Sequence, residues 1–258
     1  MSKTGTVSSV LLCQQFACCL VAFFSEHVHV CQRLAEPTYC GRFLKIASQP
    51  HTPMHTIRYT LLILANIASA QVNHRVVMDA IDNMNQIKFI DILNNSDHMV
   101  LHNYSLFIAN LSTSKENQTR LSKPKLLAKM RPLMSQPQKK TVYNVMCYLA
   151  NISALPENRQ PIMDVMGEAV VGFIDLLEPE YELVTARTLL NLSYNRYCKK
   201  MFMGPLRDKF GVMTKALAAA STVQVRRMTV MMLANISHEE AVRHMLLERP
   251  YIDVILSS

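Results

Sequence analysis

The residues that could carry chemistry are few, and their spacing does not assemble a reaction. His98 and His102 stand four apart on a helical pattern, a spacing that suits a metal pair, but no third ligand follows nearby. His51 and His55 straddle Pro53 and form no pattern. The seven Cys are Cys13, Cys18, Cys19, Cys31, Cys40, Cys147 and Cys198, with no Cys-x-x-Cys pair among them. An odd number crowded toward one end predicts reduced, buried thiols in an intracellular protein, not a disulfide framework or a zinc site. No Ser/His/Asp arrangement or carboxylate pair can be argued from the spacing. Six Gly in 258 residues leave no phosphate loop and no dinucleotide fingerprint. The expectation is no catalytic residue, no metal and no cofactor.

One polar residue does recur in a fixed setting. The blocks LANIAS (64–69), IANLS (108–112), LANIS (149–153), LNLS (190–193) and LANIS (233–237) carry Asn66, Asn110, Asn151, Asn191 and Asn235. The intervals between these Asn are 44, 41, 40 and 44 residues. A period of ~40–47 residues is that of a helical repeat. A sixth block, VAFFS (21–25), lies 43 residues before Asn66 and puts Phe23 in the Asn place.

The elements that must position these Asn are helices. Upstream of the blocks, apolar residues recur at spacings of three and four, as in Val142, Val145, Met146, Leu149 and Ile152. Downstream comes a polar corner, a short helix and a second apolar helix. Thr113–Glu116 and Ser237–Glu240 read as capping boxes. Pro156, Pro161, Pro179, Pro205 and Pro250 fall between helices or at their starts. No period-two strand run appears. The apolar stretch Val10–Phe24 is broken by Gln14 and Gln15 and is too short to span a bilayer, so it reads as a buried helix, not a signal peptide. The 17 Met suit gaps between packed repeats.

These residues resemble the armadillo repeat family, whose unit is a short first helix, a second helix and a long third helix ending in a motif like LxNLS. An Asn-Arg signature in the next first helix adds to the resemblance: Glu157-Asn158-Arg159, Glu116-Asn117-Gln118, and weaker matches at Asn73-His74-Arg75 and Asn195-Arg196. The family's Gly between first and second helices is matched loosely by Gly167 and Gly204. The resemblance covers about residues 53–258. It implies an all-α fold, a right-handed superhelical α-solenoid. Residues 1–52 are expected to form a degenerate capping repeat, with Phe16, Phe23, Phe24 and the Cys cluster, ahead of about five repeats in 53–258. The closing stretch Tyr251–Ser258 reads as a second helix without a third, an end that a partner could cover.

In that family the third helices line a concave groove, and the motif Asn can hydrogen-bond the main chain of an extended peptide. The resemblance therefore assigns Asn66, Asn110, Asn151, Asn191 and Asn235 to a partner groove, although the same Asn could simply bond a neighbouring repeat. One turn earlier sit Leu62, Leu106, Cys147, Arg187 and Met231. Two turns earlier the groove would gain Arg58, Tyr59, His102, Asn103, Tyr143, Asn144 and Arg227. Import receptors of this family place Trp one turn before the Asn to clamp basic peptides. This chain has no Trp and a basic groove, so an acidic or apolar segment fits better.

The net charge of +8 adds a second surface. Two basic runs, at 112–141 and 196–215, fall on first and second helices, away from the groove. Lys123, Lys125, Lys129, Arg131, Lys199 and Lys200 form the candidate docking face, for an acidic protein, RNA or an anionic lipid surface. Sparse aromatic residues on these runs give nucleic acid little stacking support. The resulting expectation is a non-catalytic scaffold or adaptor that binds a protein partner through an extended or acidic segment. Its rivals are a structural subunit of a many-subunit ciliary, mitochondrial or ribonucleoprotein assembly, and RNA or membrane-surface binding through the basic runs. The expected location is the cytoplasm, with cilium, cytoskeleton or mitochondrion as alternatives, and no transmembrane segment.

Overall fold

The computed structural model describes residues 3–84, 86–171, 179–220, 222–238 and 240–247. The expected last helix at 251–258, and Pro250, lie outside them. The described residues form α-helices joined by short turns and 3-10 segments, with no strand. Among them no helix is long and apolar enough to cross a membrane.

Five helices carry the Asn motif at their C-terminal ends: Met54–Ile67, His98–Leu111, Lys139–Ile152, Pro179–Ser193 and Val223–Ile236. They are called motif helices below. The chain divides into two compact units, one of Met1–Asn117 with Gln136–Val145, the other of Gln118–Ser135 with the chain from Met146 on. In the first unit the Met54–Ile67 helix packs against Lys3–Phe24, Val28–Leu34, Pro37–Ser48 and His98–Leu111. The Phe89 ring fills that unit's core, 5.1 Å from the Tyr104 ring and 6.0 Å from that of Phe107. In the second unit Pro179–Ser193 packs against Val223–Ile236 and Arg196–Met203, and Arg159–Val171 packs against Pro124–Met130 and Arg207–Ala218. Phe202 and Phe210 stack there at 4.5 Å. Buried Met78, Met130, Met146, Met166 and Met213 fill these cores with flexible thioethers.

The Asn-Arg signature has a clear local cause. A helix ends with unpaired carbonyls, and a side chain must satisfy those that are buried. Seven residues after the motif Asn, a second Asn does this. Asn73 donates to Ile67 O at 2.9 Å, Asn117 to Leu111 O at 3.0 Å and Asn158 to Ile152 O at 2.9 Å. The next residue closes the following carbonyls. His74 Nε2 lies 2.7 Å from Ala68 O, and Arg159 donates to Ser153 O at 3.1 Å and Ala154 O at 3.2 Å.

Several expectations change. In the fourth repeat the capping place belongs to Cys198, not Asn195. Asn195 instead caps the start of Arg196–Met203, accepting from Tyr197 N at 2.8 Å and Cys198 N at 3.2 Å. The hydroxyls of the two capping boxes point backward, Thr113 donating to Asn110 O at 2.8 Å and Ser237 to Ala234 O at 2.7 Å. Gly204 ends a first helix as expected, whereas Gly167 lies inside Arg159–Val171. The apolar N-terminal stretch is helical as Lys3–Phe24, yet Phe16, Phe23 and Phe24 are exposed because no helix among the described residues covers that side.

Candidate functional site

Every motif Asn is half-buried, with a fully buried residue immediately after it. The amide nitrogen faces inward and ties its helix to the preceding one. In the first unit Asn66 Nδ2 donates to Ser25 Oγ at 2.9 Å, and Asn110 Nδ2 to Ala65 O at 2.9 Å. In the second, Asn191 Nδ2 donates to Ala150 O at 3.2 Å and Ser153 Oγ at 3.1 Å. Asn235 Nδ2 donates to Ser193 Oγ at 2.9 Å. Ser25, Ser153 and Ser193 occupy the same motif place, so the VAFFS block takes part through its Ser although it lacks the Asn. The side-chain oxygens of Asn66, Asn110, Asn191 and Asn235 accept no hydrogen bond from the described residues. Asn151 differs: its Oδ1 accepts from Arg187 Nη2 at 2.8 Å.

The solvent-facing line running back from each Asn follows positions four and eight residues earlier. In the first unit these are Leu62 and Arg58, Leu106 and His102, all half-buried, with Tyr143 exposed on its own helix. In the second unit they are Cys147, Arg187 and Leu183, and Met231 and Arg227. The residue seven before is not on this line. At 100° per residue it lies about 20° from the Asn on the side of the preceding helix, whereas the residue eight before lies about 80° to the other side. Asn103 and Asn144 are therefore buried, not groove-lining as expected. Asn103 Nδ2 donates to Arg58 O at 2.9 Å, and Asn144 Nδ2 to Ser105 Oγ at 3.2 Å. Tyr59, at the same place, is half-buried, as Arg58 beside it is.

The electrostatics of the line are less basic than its composition. The Arg58 guanidinium is paired with Asp97 and donates to its Oδ1 at 3.0 Å through Nε. That hydrogen bond pulls the Asp97 carboxyl down to about 2, and burial opposes it. Asp97 also caps the His98–Leu111 helix, accepting from Met99 N and Val100 N at 3.0 Å. Burial lowers the pKa of His102, and Lys140 and His98 lower it further, so it faces the line as a neutral ring at pH 7. Arg227 is exposed on the line, and Arg187 is exposed but tied to Asn151.

The six residues expected to form a basic docking face all lie in the second unit. Lys123, Lys125 and Lys200 are exposed and Lys129 is half-buried. Arg131 is paired with Glu168 at 3.1 Å. Lys199 Nζ donates to Asn235 O at 2.6 Å, closing the end of the Val223–Ile236 helix. A Lys in a helical run has the same spacing whether it faces water or a neighbouring helix end, so this role had no signal in the sequence. Among the described residues no group of three His, Cys, Asp or Glu gathers around His98 and His102. The free thiols of Cys18, Cys31, Cys40 and Cys198 are buried, and burial raises Cys40 to about 11 and Cys198 to about 12.

No protein-family model matches this sequence. No curated protein matches it either. Solved structures do match the fold. A designed armadillo repeat protein superposes with TM-score 0.72 at 16% identity, covering 86% of this chain and 92% of its own. Computationally designed armadillo repeat proteins for modular peptide recognition match at TM-score 0.73 and 17% identity, over 86% and 92%. A designed armadillo repeat protein in complex with the peptide (KR)4 matches at TM-score 0.68 and 16% identity, over 91% and 94%. With the helix order and the repeating motif, these likenesses show that the fold of this chain is an all-α solenoid of armadillo-type repeats.

Proposed function

We propose that this chain is a non-catalytic scaffold that binds an extended protein segment along the exposed lines of its motif helices. The observation that carries the reading is the set of anchored amides. At Asn66, Asn110, Asn191 and Asn235 the nitrogen is tied to the preceding helix, and the oxygen accepts from no described residue. Such an oxygen is held in one direction before any partner arrives, which lowers the entropy cost of binding. An extended segment carries unpaired backbone N–H groups that this acceptor suits. Leu62, Leu106, Leu183 and Met231 would supply the apolar contacts beside the oxygens.

The segment is acidic or apolar. The solved neighbour holds a Lys-Arg peptide, whereas here the line carries Arg187 and Arg227 and no Trp. Residues 1–52 serve as a capping repeat for about five repeats in 53–258, a reading supported by Ser25 taking the motif-Ser role. The basic docking face comprises Lys123, Lys125, Lys129, Arg131, Lys199 and Lys200, with Arg131 ion-paired to Glu168 and Lys199 donating to Asn235 O.

The test is to pan a random-peptide display library against the full chain. Enriched peptides should be rich in Asp, Glu or apolar residues, and Arg227→Glu should weaken them at least about tenfold. Enrichment of Lys/Arg peptides, or peptides indifferent to Arg227→Glu and Met231→Asp, would overturn the reading.

A further inference from the structure

The motif helices share one face that never meets water. At ten, six and three residues before the motif Asn, and one residue after it, every motif helix is at most 1% exposed. Three before the Asn, for instance, stand Ile63, Phe107, Tyr148, Thr188 and Met232. The cover is the repeat's own first and second helices. Phe89 of Gln86–Asp91 lies on Tyr104 and Phe107, and Tyr148 Oη donates to Leu121 O at 2.7 Å.

The Lys3–Phe24 helix has the same register, with Phe23 in the Asn place, and its four equivalent residues are Cys13, Ala17, Leu20 and Phe24. All four are exposed, Leu20 by 60% and Phe24 by 50%. Leu12, Phe16 and Phe23 extend the same stripe, each more than half exposed. Among the described residues no first or second helix covers it.

We propose that this stripe is the contact between two copies of the chain, the Lys3–Phe24 helix of each covering that of the other. A two-fold contact requires a surface compatible with itself. The 22-residue helix carries one charged residue, Lys3, so no like charges meet when two stripes pair, and nothing on it selects a charged partner. With Val10 and Val28, the exposed apolar side chains offer on the order of 800 Å², about what each partner contributes to a stable interface. A patch of that size is larger than a lone soluble chain usually leaves bare. The stripe meets the Asn line only at Phe23, so substitutions at Phe16 and Leu20 can break pairing without touching the motif Asn.

The chain's net charge of +8 sets the salt response. Two copies repel as whole bodies, and salt screens that repulsion, so pairing should tighten as salt rises. Binding to an anionic surface would weaken instead. The experiment is sedimentation velocity on the full chain from about 1 to about 100 µM, in about 0.1 M and about 0.5 M NaCl. The expected result is a dimer that strengthens with salt. Leu20→Glu and Phe16→Ser, both at exposed positions, should each weaken it at least about tenfold while leaving helicity and peptide binding unchanged. A wild-type monomer across the whole range would overturn the proposal. So would a dimer that both substitutions leave intact, or a monomer that binds phosphatidylserine vesicles through this stripe.

Discussion

Two rows of asparagine cross the motif helices seven residues apart, and they differ in what remains of each side chain after folding. Asn103 and Asn144 are buried, and each donates to the helix before it. Asn110 and Asn191 also donate to the helix before, but they stay half-exposed with their oxygens turned away from the contact. The inner row is stacking alone. The outer row stacks and also presents an acceptor. The residue type is the same at these four positions, although Tyr59, Val184 and Met228 take the inner place on the other motif helices. A rotation of about 20° about the helix axis separates the two uses.

The sharpest way to break this comparison is to remove an inner rung. Asn103→Ala removes the tie to Arg58 O, a carbonyl that keeps its intrahelical donor, and should cost about 1.5 kcal/mol in a urea titration. Peptide affinity of the folded fraction should not change. A loss of affinity without a loss of stability would reverse the assignment of the two rows.

Asp97→Ala comes next. It removes the cap of the His98–Leu111 helix, worth about 1 kcal/mol, and leaves the half-buried Arg58 without its carboxylate partner. Acidic peptides should then bind the first unit's line more tightly while the melting temperature falls. Asp97 should also show in the acid limb. Its folded pKa of about 2 lies below the unfolded value of about 3.9, so its contribution is complete above the unfolded value and fades as pH falls toward 2.

His74 gives an earlier decline. Burial lowers its folded pKa, with the Ala68 carbonyl partly opposing. Its contribution is complete above the unfolded value of about 6.5, and it is lost below that as the unfolded chain takes up the proton more readily. Melting temperatures should drop between about pH 7 and about pH 5, and His74→Gln should flatten that drop.

The smallest stability effect belongs to the exposed line. Arg187→Ala should change stability by no more than about 0.5 kcal/mol. It removes the Arg187 hydrogen bond to Asn151 Oδ1 together with a positive charge, so acidic peptides should weaken several-fold and neutral apolar ones should not. Equal loss for both kinds would make Arg187 a scaffold residue.

Much of the fold was legible because the repeat writes the same physics several times. The LANIS-like ends, the three-and-four spacing and the second Asn seven residues on all answer one requirement, closing a helix that packs on its predecessor. Legibility failed where one residue type serves two geometries. Asn195 matches the Asn-Arg signature through its neighbour Arg196, but it caps a helix start three residues before the Asn73-equivalent place. Lys199 was read as a docking charge, but its ammonium closes the Val223–Ile236 helix. Asn103 and Asn144 read as groove residues when one and two turns back count as a single face, a width the packing narrows by burying both. The exposed stripe on Lys3–Phe24 was read as core because apolar composition reports what a face prefers, not whether a neighbour is there to cover it.

The central claim is that a partner segment lies along the outer row of motif helices. Isothermal titration of one display-selected acidic peptide into the wild-type chain and into Arg227→Glu tests it most directly, since Arg227 is exposed on that line. The account predicts at least a tenfold loss of affinity, about 1.4 kcal/mol or more, with an unchanged melting temperature. Equal affinities for the two proteins would place the peptide elsewhere and contradict the account.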